Sequence, residues 1–67
     1  MSRQGVSVKL RKLREASGLT QEQLAKKVGV SQGYLAHLES GGRTNPSLAL
    51  IRRLAKALKV KVGELLE

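Results

Sequence analysis

The stretch from Thr20 to Ser40, TQEQLAKKVGVSQGYLAHLES, decides the fold. Thr20 and Gln23 form a T-x-x-Q capping box, in which each side chain satisfies the other residue's backbone N–H at a helix start. Leu19 and Leu24 flank the box as a hydrophobic staple. Leu24, Ala25 and Val28 share one face. Gly29 then supplies the left-handed conformation that stops a helix after Val28. Ser31 is a good N-cap for the next helix. Val30 with Leu35 makes a second staple, and Leu35 and Leu38 point inward. Gln32, Gly33, Ala36, His37 and Ser40 lie on the opposite, polar and small-residue side. Only Gly29, Val30 and Ser31 separate the two helices, so the chain turns sharply and Val30 is placed to bury between them.

Two short helices joined in this way are a helix-turn-helix, whose second helix enters the DNA major groove while the first lies across the backbone. The outer face of the second helix fits that role. Gly33, Ala36 and Ser40 permit close approach to base edges. Gln32 can donate and accept at adenine N6/N7, and His37, about one turn on, can donate to a guanine or thymine acceptor.

The rest of the chain is also patterned for helices, with no alternating stretch that argues for a strand. A first helix is expected over about Ser7 to Ser17, with Val6, Leu10 and Leu13 on one face and Gly18 at its end. Gly41-Gly42 ends the third helix. Residues 41–46 read as a loop, because Pro46 is tolerated only near a helix start. A fourth helix from about Ser47 to Lys59 carries Ile51, Leu54, Ala55 and Leu58 in a stripe. A fifth runs from about Lys61 to Leu66, with Val62, Leu65 and Leu66 available for packing. Its start lacks a capping side chain, so it is predicted to fray. The whole chain, 1–67, reads as one domain with residues 1–5 as a flexible arm. Arg3 is either a backbone-tracking part of that arm or simply in a disordered end.

Composition narrows the function. The 67 residues hold 13 Lys+Arg against 5 acids and one His, a formal net charge of +8. The acids are Glu15, Glu22, Glu39, Glu64 and Glu67. Such an excess suggests a polyanionic partner, nucleic acid first and an anionic membrane second; a merely soluble basic surface is the plain alternative. The absence of Cys excludes disulfides and thiolate metal sites. One His and scattered Glu do not make a metal cage. No apolar run approaches a membrane span and no signal peptide is visible, which fits a cytoplasmic, nucleoid-associated protein without cofactor. No nucleophile–base pair and no phosphate-binding G-x-x-x-x-G-K-[ST] loop argue for an enzyme.

From about Leu10 to Leu66 the chain resembles the helix-turn-helix family of phage Cro and cI repressors, the XRE family. The markers are TQEQLA, GVSQ, LESG and NPSLALIRRLAKAL, which are specific in combination. The resemblance implies an all-α, five-helix, lambda-repressor-like bundle. It places base contacts at Ser31, Gln32, Gly33 and His37. It places phosphate contacts at Gln21, which also braces Gln32, and at the loop residues Arg43, Thr44 and Asn45. The helix-4 start near Ser47 offers free N–H groups to a phosphate. The resemblance pairs Glu39 with Arg14 as a structural ion pair, in preference to a base-reading or catalytic role. Tyr34 either reaches a phosphate or packs over the second and third helices. His37 is a base or phosphate contact or an ordinary solvated residue. Lys26, Lys27, Arg52, Arg53 and Lys56 read as solvated faces. Gly33 lacks the longer polar side chain common there, and Lys61 departs from the usual Ser, Thr or Asp.

These readings describe a sequence-specific regulator of double-stranded DNA, a repressor binding a pseudo-palindromic operator as a homodimer through the helix-5 end. An antitoxin or adaptor of the same fold, acting through a protein partner, is the alternative. Both a complete small regulator and a piece of a longer one are compatible with helix 5 ending the chain.

Overall fold

Thr20 has an extended backbone, its Oγ1 accepts the Gln23 N–H at 3.1 Å, and Gln23 Oε1 accepts the Thr20 N–H at 2.9 Å. This closed capping box starts the second of five helices in the computed structural model, which describes residues 5–41 and 46–66, with side chains from Lys9 onward. The helices are α1 (Gly5–Ala16), α2 (Gln21–Val28), α3 (Gln32–Glu39), α4 (Leu48–Leu58) and α5 (Val62–Leu66), with no strand among the described residues. The all-α, five-helix expectation holds. α1 begins two residues before the expected Ser7, so Gly5 belongs to the helix, not to an arm. The remaining arm residues, Arg3 among them, and Arg43, Thr44 and Asn45 lie outside the described residues.

Each later helix is started by a local device. Ser31 Oγ accepts the Tyr34 N–H at 3.0 Å, and Ser47 Oγ accepts the Leu50 N–H at 3.1 Å. α5 is better anchored than its sequence suggests. Lys61 brings no capping side chain, but Glu64 reaches back to accept the Lys61 N–H at 3.1 Å, which is half of a capping box. α4 ends at Lys59, which takes the left-handed conformation at φ 59 where glycine is the usual choice.

The core is assembled from one fully buried leucine per helix: Leu10, Leu24, Leu35, Leu54 and Leu65. Ala25, Val28, Leu38, Leu50, Ile51, Ala55 and Leu58 surround them. Each fully buried leucine contributes roughly 1.5–3 kcal/mol of transfer free energy. Leu19 and Val30, the outer members of the two expected staples, pack against this cluster, which contains Leu24 and Leu35. α3 packs on α1 and α2, while α4 packs on α2 and α5. α3 is therefore held against two neighbours while Gln32, Gly33 and His37 stay exposed.

Gly29 fixes the angle between α2 and α3. Its φ of 78 lies in the left-handed region, and its N–H bonds to the Ala25 carbonyl. Val30 follows with its N–H on the same carbonyl at 3.0 Å. A Cβ at Gly29 would meet only the Arg53 guanidinium at 3.9 Å, so the cost of a side chain is conformational and not steric. Gly29→Ala is expected to lower stability by about 1 kcal/mol, read as a shifted urea midpoint with unchanged slope.

Candidate nucleic-acid interface

The exposed side of α3 is built from Ser31, Gln32, Gly33 and His37, all solvent-accessible. Ser31 uses its hydroxyl oxygen as an acceptor for the helix start, which leaves its O–H able to donate outward. A Cβ on Gly33 would meet nothing within 4 Å. Its backbone φ is not in the left-handed region. Packing and backbone geometry therefore do not require glycine there, and the gap leaves α3 locally bare. Tyr34 is half-buried and packs against the core cluster. The free N–H end of α4 carries Ser47, whose oxygen is engaged with Leu50.

Behind this face lies a charged clamp. Arg14 Nε donates to Glu39 Oε2 at 2.7 Å, and Arg14 Nη2 donates to Glu39 Oε1 at 3.1 Å. The two-pronged fit matches the planar guanidinium to the carboxylate. Arg14 Nη1 donates to the Leu19 carbonyl at 2.8 Å. One side chain thus ties the end of α1, the 17–20 connection and the end of α3 together. The Glu39 side chain is only 3% exposed and that of Arg14 only 11%. Hydrogen bonding to Glu39 raises the Arg14 pKa above its ordinary value, outweighing the burial that lowers it.

Gln21 differs from its expected role as a brace for Gln32. Its Nε2 donates to Glu39 Oε1 at 3.1 Å, so the amide belongs to the clamp. The reason is geometric: Gln21 opens α2 and Glu39 closes α3, and the sharp turn brings those two ends together. The buried carboxylate has a lone pair left to satisfy after Arg14 is bound, and the amide N–H satisfies it. A second contact also lay beyond the sequence reading. Arg53, assigned to a solvated face, sends Nη1 to the Val28 carbonyl at 3.3 Å. It thereby caps a free carbonyl at the end of α2, where the helix dipole favours a cation. No local pattern signals either contact.

The helix-turn-helix family model matches residues 10–65. The chain belongs to the helix-turn-helix family of Cro/cI-type regulators. This helix-turn-helix protein is 40% identical over 57 residues to an uncharacterized HTH-type transcriptional regulator of Archaeoglobus fulgidus, a match that covers 85% of the chain and 80% of that relative. It is 31% identical over 62 residues to the transcriptional regulator SinR of Bacillus subtilis, covering 92% of the chain but 56% of that longer protein. Among solved structures it is similar to the restriction-modification controller protein C.AhdI from Aeromonas hydrophila, with 40% identity, a TM-score of 0.85 and 94% of each chain covered. A structure of SinR, the master regulator for biofilm formation, in complex with DNA gives 31% identity and a TM-score of 0.87, covering 92% of this chain and 98% of that one. The protein is accordingly a transcriptional regulator with a helix-turn-helix DNA-binding domain, and not an enzyme. No helix among the described residues is long and apolar enough to cross a membrane.

Proposed function

We propose that this protein is a sequence-specific repressor that binds a pseudo-palindromic operator as a homodimer, with α3 of each protomer in a major groove. The observation that carries this reading is the bare, polar outer face of α3, set on a clamped and capped scaffold. Ser31, Gln32, Gly33 and His37 face the base edges. Gln21 and Tyr34 approach the phosphates from the helix starts, joined by Arg43, Thr44 and Asn45. Gln21 can serve a phosphate through its carbonyl-side water shell or by exchange of its bond to Glu39. The whole chain, 1–67, acts as one domain. Repression needs no chemistry, because a bound dimer obstructs polymerase on the nucleoid in the cytoplasm.

Dimerisation is assigned to the α5 end. Leu65 is fully buried, but Leu66 beside it is 51% exposed and can be covered by a second copy. Selection of bound duplexes from a random pool tests both parts. A symmetric site with half-sites one helical turn apart, roughly 34–36 Å, is expected. Recovery of single, unpaired half-sites would overturn the dimer. In the same selection Gln32→Ala is expected to relax one base position per half-site, a loss of about 1–3 kcal/mol of discrimination. An unchanged site preference would remove Gln32 from the reading surface.

A further inference from the structure

The cations of this chain are not spread evenly with respect to its acids. On α1, Arg11 is paired with Glu15 and Arg14 with Glu39. The Glu64 carboxylate is engaged by the Lys61 backbone. On α2 and α4, Lys27, Arg53 and Lys56 form no ion pair with any acid among the described residues. α4 contains no acid, and the single acid of α2, Glu22, sits in its first turn, at the opposite end from Lys27. α2 and α4 together thus carry five cations, Lys26, Lys27, Arg52, Arg53 and Lys56, against the one acid Glu22.

These three cations meet around one groove. A cavity of about 340 Å³ is lined by Lys27, Arg53, Lys56 and Ala57. Ala57, which is half-buried, is the one uncharged residue among these four. Arg53 is held in place by the Val28 carbonyl through one nitrogen, so its remaining N–H groups are oriented before any ligand arrives. None of the base-facing residues of α3 lines it. At about 100° per residue, Lys27 stands roughly 120° round α2 from Gln21, whose flank is turned to α3. Three like charges around one hollow repel each other, and an anion bound between them relieves that.

From this placement we infer that the α2–α4 groove is a second phosphate-binding surface, which takes the backbone of another DNA segment while α3 occupies the first. The inference goes beyond the operator reading and rests on it only in that the chain binds duplex DNA. A duplex fits better than an isolated anion. Its closely spaced phosphates present one negative charge per roughly 1.7 Å of axis, enough to engage all three cations along one groove. The protein would then join two DNA segments.

The test is co-capture by the full chain. A bead-bound duplex is saturated with protein, and capture of a second, fluorescent duplex is measured across a salt series. Wild type is expected to capture the second duplex. Lys27→Glu/Lys56→Glu is expected to lower co-capture at least tenfold more than it lowers affinity for the first duplex. Lys26→Glu/Arg52→Glu makes the same charge change on the same helices but outside the groove, and is expected to retain co-capture. All four positions are exposed, and far-UV circular dichroism checks that each variant is folded. Saturating binding of the first duplex with no capture of the second overturns the inference, as does equal loss in both variants. If wild type carries no second duplex but binds poly-glutamate through Lys27 and Lys56, the groove serves an acidic protein and the DNA assignment is wrong. Failure to bind even the first duplex would instead strike at the DNA-binding reading itself.

Discussion

Glu39→Ala is expected to cost about 3 kcal/mol of folding stability, and so to leave much of the protein unfolded at 37 °C. The carboxylate is nearly inaccessible and receives three hydrogen bonds, two from Arg14 and one from Gln21. Removing it strands a guanidinium that is itself almost out of water, and breaking a buried pair from one side costs about 3–5 kcal/mol. A single small core rarely supplies more than about 3–5 kcal/mol in total. At this chain length the expected fall in Tm is on the order of 15 °C. Calorimetry or circular dichroism melting measures it. The double variant Arg14→Met/Glu39→Leu separates two causes. If the penalty comes from the unpaired buried charge, the double variant is more stable than Glu39→Ala. If both variants are equally damaged, lost shape is responsible and the charge argument fails. A loss under about 0.5 kcal/mol for Glu39→Ala would mean that the clamp contributes nothing net.

Raising salt from roughly 50 to 200 mM is expected to weaken DNA binding by about a thousandfold. A fall of that size over a fourfold change in salt corresponds to a log–log slope near −5, or about six neutralised phosphates per complex. The 13 Lys+Arg and formal charge of +8 make such a count available, and Lys27, Arg53 and Lys56 are among the cations that form no ion pair with an acid among the described residues. Fluorescence anisotropy with a labelled duplex at four or five salt concentrations gives the slope. A slope shallower than about −2 would show that the positive surface stays in solvent when DNA is bound. A steep slope combined with equal affinity for all duplexes would keep the DNA contact but remove the sequence-specific repressor from the proposed function.

The positions of these effects in the chain differ in how far the sequence announces them. The Thr20–Gln23 box, the Gly29 stop, the Ser31 and Ser47 caps and both staples are relations between residues at most five apart. Their geometry follows from helix pitch and backbone sterics, so reading the sequence is nearly the same as building them. The core follows for the same reason: a residue that recurs every three or four positions faces one way whatever it packs against. Gln32, Gly33 and His37 are visible as an outer face by the same rule, although which base each meets depends on the duplex. The Arg14–Glu39 pair, 25 positions apart, was legible only through the family pattern.

What the sequence by itself determined was the number and type of helices, the sharp turn between α2 and α3, and the face that α3 turns outward. Only the tertiary structure decided where the long polar side chains go. It sent Gln21 to Glu39 and not to Gln32, carried Arg53 25 residues back to the Val28 carbonyl, and used Glu64 to anchor a helix whose first residue offers no cap. It also turned Leu65 inward and Leu66 out. Flexible side chains with several rotatable bonds reach many partners, so their destination is set by which buried acceptors the packed helices leave unsatisfied. That quantity exists only once the crossing angles are fixed. Gly29 illustrates both halves, because its need for a left-handed φ is written in the turn, whereas the guanidinium that lies 3.9 Å from its missing Cβ arrives from α4.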